Sequence, residues 1–124
     1  MINILLADDH PYLRRGLIQI LRDEFPGAVI GEVANVPELL EQAQKLRWDI
    51  VVLDLTMPGR GGLEALHELK RLCPNIPILV LSMHPEDQFA VRVLRAGGAG
   101  YLTKESVPQE FVRAIRTIWK GAKY

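Results

Sequence analysis

The chain has 124 residues, which fits one domain and lets it bury roughly two-thirds of the surface its unfolded form exposes, enough for an unaided core. Lys plus Arg and Asp plus Glu both number 15, so the formal net charge is zero, which argues against nucleic-acid binding through a diffuse basic surface. A single cysteine, Cys73, excludes an internal disulfide. No apolar run approaches the roughly 20 residues of a membrane span, and the N-terminus lacks the marks of a signal peptide, so a cytoplasmic protein is expected.

Short apolar runs alternate with amphipathic stretches. Ile2 to Ala7 reads as a strand. Pro11 to Glu24 reads as a helix with proline in its first turn and Leu13, Leu17, Ile20 and Leu21 at helical spacing. Ala28 to Val33 is a second strand after Pro26-Gly27. Asn35 and Glu38 form a capping-box pattern for a helix to about Leu46. Asp49 to Leu53 is a nearly continuous apolar strand, as suits a central parallel strand covered on both faces. A loop over Met57 to Gly62 leads to a helix from Leu63 to Leu72. Ile76 to Leu81 is a fourth strand, Pro85 to Ala96 a helix stopped by Gly97-Gly98, and Gly100 to Thr103 a fifth strand. Ser106 caps a last helix, Val107 to Lys120, stopped by Gly121.

This is a (βα) unit repeated five times over residues 1–124, with connections suited to right-handed crossovers. The expected fold is α/β, a doubly wound five-stranded parallel sheet.

Open α/β sheets bind ligands beyond the carboxyl ends of their strands. Asp8 and Asp9 follow the first strand, Asp54 and Thr56 the third, Ser82 the fourth and Lys104 the fifth, with Tyr101 three residues before it. Three converging carboxylates repel one another, so their pKa values rise or a cation neutralises them. Oxygen donors from few side chains suit Mg²⁺. A carboxylate can also act as a nucleophile and form an aspartyl-phosphate, a transfer governed by positioning and charge neutralisation. Singly, each residue has a plainer role: Asp8 and Asp9 as helix caps, Lys104 as a solvated surface lysine, Ser82 as a turn residue. His10, His67 and His84 form no ligand pattern and read as helix-end or surface residues. The functional reading rests on the acidic pair, Asp54, Ser82 and Lys104 falling on one sheet edge.

The segments Ala7-Asp8-Asp9-His10-Pro11 with Arg14, Gly16 and Leu17, Asp54-Leu55-Thr56-Met57-Pro58-Gly59, Leu79-Val80-Leu81-Ser82 and Gly100-Tyr101-Leu102-Thr103-Lys104 resemble the response-regulator receiver family of two-component systems. The first and last resemble its NarL/FixJ subfamily in particular. The resemblance covers the whole chain and implies a flavodoxin-like sheet of strand order 2-1-3-4-5. It implies Asp54 as acceptor of a phosphoryl group from a sensor histidine kinase. Mg²⁺ would be held by Asp9, Asp54 and the backbone carbonyl of Thr56, with Asp8 acting through water. Ser82 and Lys104 would bind phosphoryl oxygens, and Tyr101 would change rotamer on activation. Thr56 and His84 would tune the hydrolysis rate. Lys104 is followed by Glu105 rather than the proline common there, so no cis peptide is expected at that bond.

The resemblance also implies transcriptional output through a helix-turn-helix DNA-binding domain. The ending Trp119-Lys120-Gly121-Ala122-Lys123-Tyr124 reads as a cut at a linker, so that domain is expected to lie outside this chain. A homodimer through the first and last helices is expected on phosphorylation, with Trp119 either in the contact or covering the core edge. Three rival readings fit less well. A phosphatase of the haloacid-dehalogenase type needs an acid two residues after Asp54, where Thr56 stands. A flavodoxin-like carrier needs a phosphate loop where Asp8 and Asp9 stand. A phosphorylation-independent interaction module has no use for the complete acidic pocket.

Overall fold

In the computed structural model, which describes residues 2–55, 62–82 and 87–124, five strands form one parallel sheet in the order β2-β1-β3-β4-β5. The elements are β1 (Asn3–Ala7), α1 (Pro11–Glu24), β2 (Val29–Val33), α2 (Val36–Lys45), β3 (Ile50–Asp54), α3 (Gly62–Leu72), β4 (Ile78–Ser82), α4 (Asp87–Arg95), β5 (Gly100–Thr103) and α5 (Phe111–Trp119).

The apolar runs are buried on both faces because side chains alternate along a strand. Ile4, Leu6, Ile50, Val52, Leu79 and Leu81 pack with Leu17 and Leu21 of α1 and with Phe111, Ala114, Ile115 and Ile118 of α5. Leu5, Ala7, Val51, Leu53, Ile78 and Val80 pack on the other side with Leu39 and Ala43 of α2, Leu66 and Leu69 of α3 and Val93 of α4. The expected doubly wound α/β sheet is therefore present, with α1 and α5 on one face.

Local signals behave largely as expected. Asn35 Oδ1 accepts from the Glu38 N–H at 2.9 Å, while Glu38 Oε1 reaches back to the Ala34 N–H at 3.1 Å, one residue before the usual partner. Gly97 (φ 102°) and Gly121 (φ 94°) take the left-handed conformation after α4 and α5. Strand β4 starts at Ile78 rather than Ile76, since Pro77 has no N–H to give to a ladder. The expected start of the fourth helix at Pro85 lies outside the described residues.

The last helix is a correction. Ser106 does not cap it and it does not begin at Val107. Lys104–Ser106 form a single 3-10 turn, Val107–Pro108 is a cis peptide, and α5 begins at Phe111. Pro108 explains the difference: it lacks an N–H and disfavours a helical backbone at Val107. Ser106 instead shares a hydrogen bond with Thr103, Oγ to Oγ1, at 3.0 Å.

Candidate functional site

The ladder register sets the site. Ala7 pairs with Leu53, Asp54 with Leu81, and Ser82 with Thr103, so β1, β3, β4 and β5 end nearly level. Asp54 and Ser82 are the last residues of their strands rather than the first beyond them. Asp8 and Lys104 leave β1 and β5 at the same edge.

Asp8 is fully buried, and the turn into α1 folds back on it: the His10 N–H donates to Asp8 Oδ1 at 2.8 Å. Its backbone carbonyl accepts from Arg14 Nη1 at 2.6 Å, and Arg14 Nε sits 3.1 Å from Glu32 Oε1 on β2. Arg14 thus ties the loop after β1 to the neighbouring strand. Asp54 is 1% exposed, and Lys104 Nζ donates to its Oδ2 at 3.1 Å. Ser82 is fully buried at the end of β4, between them in sheet order. Tyr101 is partly buried against the face that carries Val80 and Val93.

The pocket is rich in negative charge. Asp8 Oδ2 and Asp9 Oδ1 are buried without a hydrogen-bond partner. Burial pushes the Asp8 carboxyl above the usual carboxylate range. The His10 N–H opposes this, the charge of Asp54 and a shared hydrogen bond with it reinforce it, and Lys104 opposes it weakly. One donor atom from each of Asp8, Asp9, His10 and Asp54 falls within 4.8 Å of the others. Orphaned oxygens in such a cluster fit a hard divalent cation, which satisfies them and cancels their repulsion.

Asp8, Asp9, Asp54, Ser82, Lys104 and Tyr101 thus lie at or near one edge, as the sequence led us to expect. Thr56 and His84 lie outside the described residues. His67 is exposed on α3. His10 stands at a helix end, as expected, but its ring also meets the carboxylates. It is the N-cap residue of α1 but makes no side-chain cap bond. Its Nδ1 instead lies 3.2 Å from Asp9 Oδ1, 3.4 Å from Asp8 Oδ1 and 3.5 Å from Asp54 Oδ2.

The family model for the response regulator receiver domain matches residues 4–116. The chain belongs to that family. The receiver domain is 40% identical over its full length to the response regulator UvrY of Escherichia coli K12, and it covers 57% of that protein. It therefore spans little more than half the length of the curated relatives it matches. It is also similar to a two-component response regulator of the LuxR family from Aurantimonas sp. SI85-9A1. That likeness has a TM-score of 0.89 and 38% identity, over 98% of this chain and 86% of the other. The isolated receiver domain of RcsB from Salmonella enterica serovar Typhimurium, with the phosphomimetic BeF3⁻, gives a TM-score of 0.90 at 28% identity. There the coverage is 99% of this chain and 91% of the other. These relatives place the receiver domain, a signalling domain, with NarL/FixJ-type response regulators. Among the described residues no helix is long and apolar enough to cross a membrane.

Proposed function

We propose that Asp54 is the phosphoacceptor of this receiver domain and that a sensor histidine kinase is the donor. A carboxylate oxygen of Asp54 attacks the phosphorus, the phosphorus–nitrogen bond of the donor phosphohistidine breaks, and the imidazole nitrogen keeps the electron pair and takes up a proton. Lys104 moves its hydrogen bond from Asp54 Oδ2 to a phosphoryl oxygen, and the Ser82 hydroxyl bonds another. Tyr101 then repacks toward Ser82 and alters the α4–β5 surface, a local charge change biasing a two-state element. Asp9, Asp54 and the Thr56 carbonyl would hold Mg²⁺ directly, with Asp8 acting through water. Mg²⁺, when bound, neutralises the carboxylates and the incoming phosphoryl oxygens.

The observation that carries this reading is the 3.1 Å contact of Lys104 Nζ with Asp54 Oδ2, made beside an Asp8 carboxylate with an unsatisfied buried oxygen. A nucleophile, its compensating cation and a cluster of carboxylates suited to a divalent cation share one pocket. Acetyl phosphate with Mg²⁺ tests it: the wild type gains the mass of one phosphoryl group and Asp54→Asn does not.

The complete protein is proposed to be a cytoplasmic transcription regulator that reaches DNA through a helix-turn-helix domain outside residues 1–124. Phosphorylation is proposed to promote a homodimer through α1 and α5, where Trp119 is 47% exposed.

A further inference from the structure

His10 is 56% exposed at its side chain, yet its Nδ1 points among three carboxylate oxygens at 3.2–3.5 Å. Asp9 Oδ1, the nearest, still has no hydrogen bond, so the imidazole does not serve it as a donor. The spacings suit another arrangement. Two adjacent donors on an octahedron about a cation with bonds of roughly 2.1 Å lie roughly 3 Å apart. The three nitrogen–oxygen spacings are close to such edges. The backbone fixes the ring there, because the His10 N–H is held by Asp8 Oδ1 at 2.8 Å and Pro11 opens α1 directly after it.

We propose that His10 supplies a nitrogen ligand to the acidic pocket, so that the site favours a transition-metal cation such as Mn²⁺ over Mg²⁺ by more than its carboxylates alone would. This rests on the reading of the pocket as a cation site and deepens it. Mg²⁺ gains little from an imidazole, whereas first-row transition metals gain more, least at Mn²⁺ and increasingly along the series to Cu²⁺. Unlike an all-oxygen pocket, this one therefore discriminates between cations through a side chain outside the carboxylate set.

The test compares the wild-type chain with His10→Ala and His10→Gln in mildly alkaline buffer, where imidazole is neutral. Mn²⁺ binding is followed by loss of the free-ion paramagnetic resonance signal, Mg²⁺ binding by calorimetry, and ligation by pulsed resonance of the bound Mn²⁺. The wild type is expected to show nitrogen coupling that both variants lose. The ratio of Mn²⁺ to Mg²⁺ affinity is expected to fall about tenfold in the variants, the scale on which altered ligand surroundings weaken metal binding. Mn²⁺ bound without nitrogen coupling, or a ratio unchanged in the variants, overturns the role of His10 and leaves the carboxylate site standing. If neither cation binds the wild type, both are overturned.

Discussion

Lys104 Nζ and Asp54 Oδ2 are 3.1 Å apart, and their side chains are 12% and 0% exposed, so an ion pair shielded from water reaches from the end of β5 across β4 to β3. A charge pair in such a place is little screened. It also holds the ammonium where negative charge develops when Asp54 takes a phosphoryl group. Lys104→Ala is expected to slow phosphorylation of Asp54 by acetyl phosphate about 10²–10³-fold, the usual effect of removing one preorganised donor. The rate of mass gain with time measures it.

Arg14 acts at one remove, by holding the Asp8 carbonyl at 2.6 Å and anchoring on Glu32. Arg14→Ala is expected to weaken Mg²⁺ binding about 10–100-fold, as loss of an outer partner of a ligand does. Arg14→Lys should recover part of it. Calorimetric titration of both variants provides the comparison, and equal affinity in Arg14→Ala and wild type would count against a positioning role.

Asp8 gives the metal-free protein a defined pH response. Its carboxyl is shifted upward, so between the ordinary aspartate pKa and the raised value the folded state holds more protons than the unfolded one. The stabilisation this provides is fully present below the ordinary value and is lost as pH rises through the folded one. Asp8→Asn, which carries no charge, should therefore raise the melting temperature at neutral pH in chelator. That gain should shrink as the pH falls toward the ordinary aspartate range. Melting curves across that range show whether the gain changes with pH.

Much of the site was legible because each apolar run ends on a polar residue, and a parallel sheet of this order brings those ends level. Asp8, Asp54, Ser82 and Lys104 all follow from that one geometric fact. The part played by His10 did not follow. A single histidine before a proline has no ligand spacing, and it joins the carboxylates only because its own N–H bends back to Asp8. Its direct succession to two acids was the available signal. Arg14 was equally opaque, since its partners are a backbone carbonyl and a half-exposed carboxylate on the next strand, which no local spacing marks. For the last helix, the stripe of Phe111, Ile115 and Ile118 was right, but Ser106 looked like a cap although Pro108 already forbade a helical Val107.

Trp119 packs edge-on against Phe25, centroids 6.2 Å apart, and Arg116 lies over the same ring at 5.1 Å while pairing with Glu24. Trp119→Ala is expected to stay folded and to lose about 1 kcal/mol, the worth of such an aromatic pair. If α1 and α5 form the dimer face, the beryllofluoride-treated variant should elute as a monomer where wild type elutes as a dimer. Unchanged dimerisation would confine Trp119 to covering the core edge.

The buried side chains around Gly31, Leu5 and Trp48, give a check on the fold itself. A Cβ there would stand 2.5 Å from Trp48 Cη2, and Trp48 is buried with its indole N–H bonded to the Gln42 carbonyl at 2.9 Å. Gly31→Ala is expected to cost about 1–3 kcal/mol, as overpacking a filled core does. Urea unfolding gives the value.

The most direct test of the central claim is intact mass after treatment with acetyl phosphate, with Mg²⁺ or with chelator, for wild type and Asp54→Asn. The account predicts one added phosphoryl group in the wild type with Mg²⁺ alone, and none in chelator or in Asp54→Asn. A phosphoryl group on Asp54→Asn, or none on a folded, Mg²⁺-binding wild type, would contradict Asp54 as the acceptor.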